Sequence, residues 1–176
     1  VNGRLVGLPP LVDEHTRVLV LGSFPGVASL AARQYYGHPR NHFWPIMAHV
    51  FEAFLASGAM PHCDGSYGSD YAQRCRWLLA HGVGLWDVYA SCERQGSLDA
   101  DIRHATVNDF SALSAACPQL RLVAHNGGES YRHHRHAQAL GVPVVRLPST
   151  SPANASWSLE RKKAAWGAAL GPVLVG

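Results

Sequence analysis

The run Val18-Leu19-Val20-Leu21 is apolar at every position and ends abruptly in Gly22-Ser23-Phe24-Pro25-Gly26. A strand with one solvated face alternates apolar and polar side chains. An unbroken run instead predicts a strand covered on both faces, here over 16–21, as in a parallel sheet between helix layers. The glycines and proline that follow force a tight turn and bring the backbone close to whatever binds there. The carboxyl ends of strands in open α/β sheets are where ligands bind.

The rest of the chain alternates in the same way. Residues 29–35 suit a short helix. Phe43, Met47, Val50, Phe51, Phe54 and Leu55 recur at helical spacing and predict a helix over 42–55, with Asn41 as a cap and Pro45 tolerated in its first turn. Residues 57–69 read as a loop and 70–80 as a helix ended by Gly82. A second strand is expected over 84–89. Residues 91–104 form a polar stretch with no apolar period and read as a loop. A helix from Asn108 or Asp109 to Ala116 is stopped by Pro118. A third strand over 120–124, a helix over 129–140, a fourth strand over 142–147 and a last helix over 156–170 complete the reading. This order predicts a three-layer α/β/α sandwich around a short parallel sheet, as a single domain over 1–176 without repeats.

Composition excludes several classes. Of 176 residues 47% are hydrophobic, enough for a sizeable core and too many for a disordered chain. The formal net charge of +3 is mild and does not by itself show nucleic-acid binding, although eleven histidines add a reserve of positive charge. No apolar run is long enough for a transmembrane helix, and the start, Val1-Asn2-Gly3-Arg4-Leu5, lacks the apolar core of a signal peptide; a cytoplasmic location is expected. Cys63, Cys75, Cys92 and Cys117 are widely and irregularly spaced and read as free, buried thiols. His133, His134 and His136 do not make a His-Glu-x-x-His motif. No Walker loop, dinucleotide fingerprint or Gly-x-Ser-x-Gly elbow is present, so neither metal nor cofactor is expected.

Polar and aromatic residues gather where strands are expected to end. Phe24 and Tyr36 sit in loop-like segments and are candidates to stack on a base, whereas Phe43 fits the core better. An amide can hold a water through its oxygen and read a base edge through its NH2 group, which makes Asn41 and Asn126 candidates. Helix capping would equally explain Asn41, and a left-handed turn before Gly127 would explain Asn126. Pro148 to Asn154 is dense in hydroxyls suited to gripping a phosphate. Arg40, Arg146, Arg161, Lys162 and Lys163 could extend an anion-binding surface, though the last three also fit a solvated helix face. Asp87, among residues that read as buried, either orients a base or holds the 91–104 loop.

Taken together, Gly22-Ser23-Phe24-Pro25-Gly26, the Tyr35-Tyr36 to Trp44 segment, Gly84-Leu85-Trp86-Asp87-Val88, Gly96-Ser97-Leu98-Asp99, Asn126-Gly127 and Pro148-Ser149-Thr150-Ser151-Pro152-Ala153 resemble the uracil-DNA glycosylase superfamily. The resemblance is closer to its hypoxanthine-DNA (deoxyinosine) glycosylase branch, related to the mismatch-specific G:T/U glycosylases. It implies a four-stranded parallel sheet and a pocket for a damaged nucleotide flipped out of double-stranded DNA. It implies monofunctional hydrolysis of the N-glycosidic bond in base excision repair, with no cofactor, no obligate protein partner and association with the bacterial nucleoid. Many members carry an Asp or Asn just before the proline of the first motif. Phe24 stands there in this chain, a departure from the uracil-specific pattern. The resemblance implies catalytic roles for Asn41 and Asn126. Ser23, Phe24, Tyr36 and Asp87 would surround the base. Arg40, Ser149, Thr150, Ser151, Pro152 and Asn154 would contact DNA. A G:U or G:T mismatch glycosylase is the alternative within the family. Outside it stand a nucleic-acid-binding module without chemistry and a small-nucleotide hydrolase, which would need a metal or carboxylate cluster.

Overall fold

In the computed structural model, which describes residues 3–56, 58 and 70–176, Val18–Gly22 is a strand with every residue buried. Val18 and Val20 point into one hydrophobic cluster, Leu19 and Leu21 into the other. The unbroken apolar run is thus the signature of a strand packed on both faces. In chain order the described elements are β1 (Leu5–Val6), β2 (Val18–Gly22), α1 (Val27–Ala32), α2 (Phe43–Ala56), α3 (Tyr71–Ala80), β3 (Val83–Asp87), β4 (Tyr89–Glu93), β5 (Arg103–Val107), α4 (Leu113–Ala116), β6 (Leu122–Asn126), α5 (Gly128–Tyr131), α6 (His134–Gln138), β7 (Val144–Leu147) and α7 (Leu159–Val175). A 3-10 turn, Asp99–Asp101, lies between β4 and β5. The loop expected over 57–69, with Cys63, falls outside the described residues apart from Gly58.

The main sheet has the order β3-β2-β6-β7 and is parallel throughout, with Val18 opposite both Val83 and Leu122 and Val123 opposite Val144. The chain moves from β2 to β3 on one side and then crosses to β6 on the other. The switch point therefore lies between β2 and β6, where open α/β sheets form their ligand crevice. Helices α2, α3 and α7 cover one face through Phe43, Met47, Phe51, Trp77, Trp166 and Leu170. Gly171 lets α2 and α7 approach closely: a Cβ there would overlap the Phe54 ring. Asp70 starts α3 by accepting the Gln73 N–H at 2.8 Å, and Ser158 starts α7 by accepting that of Arg161 at 3.2 Å.

The opposite face departs from the expected pattern. Residues 91–104 are not a plain loop. They contribute to an antiparallel sheet of order β1-β4-β5, which packs beside α4 and α6 through Tyr89, Cys92, Leu113 and Ala137. Four of the five β5 residues are exposed and its pairing with β4 is irregular, so no apolar alternation marks it in the sequence. The helix expected from Asn108 shrinks to Leu113–Ala116, because the Asn108 side chain donates to the Asp87 carbonyl at 2.8 Å instead of capping a helix. The helix expected over 129–140 is broken into α5 and α6. The break sets His133 Nε2 2.9 Å from the Tyr89 hydroxyl. The last helix starts at Leu159 and runs on to Val175. Among the described cysteines, Cys75, Cys92 and Cys117 are free thiols, the last two buried.

Candidate active site

The four parallel strands end at Gly22, Asp87, Asn126 and Leu147, and all four residues line one cavity of about 1160 Å³. Segments far apart in sequence close its walls: 22–29 after β2, 35–41 before α2, 97–100 before β5, and 148–154 before α7. Ser23, Phe24, Tyr36, Arg40, Asn41, Asp87, Asn126, Ser149, Thr150, Ser151, Pro152 and Asn154 are all among the lining residues.

His42 takes the cap position of α2, its carbonyl accepting the Ile46 N–H at 2.9 Å, and Asn41 stands one residue earlier in an Asx turn, with its Oδ1 accepting the Phe43 N–H at 2.9 Å. This bond leaves one lone pair on that oxygen, and the Nδ2 group has no partner among the described residues. Asn126 is more constrained. Its Oδ1 accepts the Thr150 N–H at 3.0 Å, while Nδ2 donates to Thr150 Oγ1 at 2.9 Å and to the Tyr36 hydroxyl at 3.1 Å. Both amide hydrogens are committed, so Asn126 has one oxygen lone pair left and can act only as an acceptor. The left-handed turn sits one residue later, at Gly127 with φ +94°, where a Cβ would stand 3.0 Å from that of Ser149.

Tyr36 lays its ring on Phe43, with centroids 4.1 Å apart and planes 25° apart, so one face is covered by protein. Burial, then the neighbouring Asp87 charge, push its hydroxyl well above the usual tyrosine range and keep it neutral. Phe24 is only 6% exposed and packs in the core cluster of the second face, with the Arg94 guanidinium 5.2 Å from its ring centroid. It is a rigid wall of the cavity, not a loose loop side chain. Ser23 donates to Asp99 Oδ1 at 2.7 Å.

Asp87 is the most perturbed carboxyl of the cavity. It is 4% exposed, its Oδ2 is buried without a partner among the described residues, and its Oδ1 occupies the space a side chain at Gly22 would need. Burial chiefly, and the charge of Asp99 secondarily, push it up to about 7 against a smaller opposing pull from Arg94. Burial also raises Asp99. Arg94 is buried and donates from Nη2 to the Pro25 carbonyl at 2.5 Å, which ties the first motif to β4 and its following loop.

Sequence reasoning assigned no individual role to Asp99, Ser97, Arg94 or Trp157. Ser97 accepts the Val27 N–H at 2.9 Å and, with Asp99 and Trp157, borders the cavity. Ser97 and Asp99 belong to the Gly96-Ser97-Leu98-Asp99 motif, but a polar stretch without a period does not reveal which wall it builds, and Arg94 and Trp157 lie outside that motif. Of the three basic residues first read as fitting a solvated face, Arg161 stacks on Trp157 at 3.7 Å and Lys163 pairs with Glu160 at 3.0 Å, while Lys162 is fully buried. Among the described residues no cluster of His, Cys, Asp or Glu has the makings of a metal site, and no helix is long and apolar enough to cross a membrane.

The fold and cavity place the chain among α/β/α proteins whose site lies at the carboxyl ends of a parallel sheet. The sequence profile of the uracil DNA glycosylase superfamily matches residues 9–170. The chain is 36% identical over 160 residues to the hypoxanthine DNA glycosylase of Methanosarcina barkeri (strain Fusaro), covering 91% of this chain and 94% of that protein. It is 35% identical over 156 residues to the hypoxanthine DNA glycosylase of Methanosarcina acetivorans, covering 89% and 92%. The solution NMR structure of a Methanosarcina acetivorans protein described as a candidate uracil DNA glycosylase matches with a TM-score of 0.80 and 32% identity, over 97% of this chain and 99% of that one. The chain belongs to the uracil DNA glycosylase superfamily, whose substrate is DNA.

Proposed function

We propose that the chain is a monofunctional DNA glycosylase that hydrolyses the N-glycosidic bond of deoxyinosine in double-stranded DNA, leaving free hypoxanthine and an abasic site. The observation that carries this reading is the pair of amides in one cavity, Asn41 with an unused NH2 group and Asn126 with only an acceptor to offer. The names of the relatives support the choice of base.

A glycosidic bond inside a duplex is out of reach, so the nucleotide must leave the stack. The hydroxyl-rich segment 149–154 and Arg40 hold the flanking backbone. Phe24 supports the base from the wall of the second core cluster. The remaining Asn126 lone pair matches the N1–H of hypoxanthine and meets a lone pair in adenine, whose N1 carries no hydrogen. Asn41 orients water toward C1′ as the bond to N9 breaks. The water oxygen becomes the C1′ hydroxyl and the base departs with a proton. Asp87, with a carboxyl pushed up to about 7, is largely protonated below that pH and donates to the base edge.

Duplexes carrying a single deoxyinosine, xanthosine, deoxyuridine or mismatched thymidine are incubated with the protein and cleaved by alkali. Breakage is expected at deoxyinosine above the other three. Asn41→Ala should lower the single-turnover rate about 100-fold or more. An unchanged rate would remove Asn41 from the mechanism, and an absence of released hypoxanthine would refute the function.

A further inference from the structure

Lys162 is fully buried on α7, and among the described residues its Nζ has one partner, His42 Nδ1 at 3.2 Å. Among the described residues its ammonium forms no ion pair with a carboxylate. A buried cation without an anion is costly and calls for an explanation. Burial lowers the lysine, and burial followed by the lysine charge lowers His42. Lysine is nevertheless intrinsically the stronger base by about four pKa units, and an ammonium only donates. The shared proton therefore sits on Lys162, and His42 Nδ1 accepts. The imidazole is neutral, its own hydrogen is forced onto Nε2, and Nε2 has no partner among the described residues.

These residues wall a second cavity of about 490 Å³, and among the described residues no carboxylate lines it. Arg40, Asn41, Pro152, Asn154 and Trp157 border both this cavity and the larger one, so the two are contiguous. The His42 backbone N–H donates to the Thr150 carbonyl at 3.0 Å and locks the two walls together. An exposed guanidinium, an oriented imidazole N–H and a buried ammonium thus gather beside the cleft.

We propose that this second cavity is a subsite for a phosphodiester group of the DNA strand flanking the extruded nucleotide. His42 Nε2–H and Arg40 contact the anionic oxygen. Lys162 is a positioning residue behind them: it fixes the imidazole tautomer and supplies charge from a medium that screens it little. The inference rests on the glycosylase reading, since it places the strand by the larger cavity.

The test measures Kd for undamaged and deoxyinosine duplexes across salt, for the wild type, Lys162→Met and Lys163→Met. Removing one phosphate-neutralising charge lowers the steepness of log Kd against log salt by about one. That loss is expected for Lys162→Met on both duplexes, with Kd up about tenfold near 0.1 M salt, and not for Lys163→Met. Equal slopes for Lys162→Met and wild type, or equal losses in both variants, would overturn the subsite. A second measurement needs no Lys162 variant. In 15N-labelled wild type, His42 should be the neutral Nε2–H tautomer, and its Nε2 resonance should move on adding duplex but not on adding inorganic phosphate at the same concentration. No movement, or equal movement with phosphate alone, overturns the assignment to DNA. Hypoxanthine release by the wild type is scored in parallel: its absence refutes the proposed function, whereas release with unaltered slopes refutes only the subsite.

Discussion

Asp87→Asn offers a sharp test of how the cavity floor is built. The carboxyl goes from a usual 3.8 to about 7, chiefly through burial. An unfolded chain loses that proton near 3.8, while the folded protein keeps it until about 7. Between those values the folded state binds more protons, so its stability falls as pH rises. The displacement, 7 − 3.8 = 3.2 pH units at about 1.4 kcal/mol each, is worth about 4 kcal/mol. Water in the adjoining cavity screens the charge, so about 2–4 kcal/mol is the expected range. Asparagine is nearly isosteric and does not ionise. It carries its own pH-independent cost for a buried amide, about 1–3 kcal/mol, and this cancels when pH values are compared. Urea unfolding of both proteins is measured at intervals from pH 4 to 8. The free-energy difference, variant minus wild type, should climb by the stated amount in the variant's favour over that range. Base release by the wild type should fall as pH rises through about 7, and the variant should lack that limb. A difference that stays flat with pH would show that Asp87 ionises normally and that its donor role is wrong.

Asn126→Ala removes three hydrogen bonds and strands the Thr150 N–H, so it should lower unfolding free energy by about 2–4 kcal/mol in denaturant titrations as well as slow base release. Gly171→Ala places a methyl group against the Phe54 ring and should cost about 1–3 kcal/mol by the same assay, with the single-turnover rate of the remaining folded protein retained. His125 is buried, with Nδ1 2.7 Å from Ser130 Oγ; Ser130 itself donates to the Leu21 carbonyl at 2.7 Å, so Nδ1 carries the imidazole hydrogen. Burial, with the nearby His134 and His133, pushes it down to about 4. Its contribution to stability is complete above pH 6.5 and is lost as pH falls toward 4, about 3 kcal/mol in all. The His125 ring resonances should stay constant down to about pH 5; titration near 6.5 would contradict the burial argument.

Much of the fold was legible because its signals are local. An unbroken apolar run marked β2, and helical spacing marked α2, since a buried strand and an amphipathic helix must satisfy their neighbours residue by residue. The antiparallel β1-β4-β5 sheet was not legible, because β5 is exposed and its register is held by distant backbone partners. The site divides in the same way. The motifs named Asn41, Asn126, Asp87 and the 149–154 segment as residue types suited to handling a base and its backbone. Tertiary packing alone decided that Asn126 spends both amide hydrogens on Tyr36 and Thr150, that Tyr36 covers Phe43, and that Asp87 lies beside Gly22 with an oxygen unpartnered among the described residues. Lys162 makes the same point in charge: Arg161, Lys162 and Lys163 look alike in the chain, and only the direction of each side chain from α7 buries the middle one against His42. Composition and period are set by neighbours along the chain, whereas hydrogen-bond capacity and pKa depend on what the fold brings into contact.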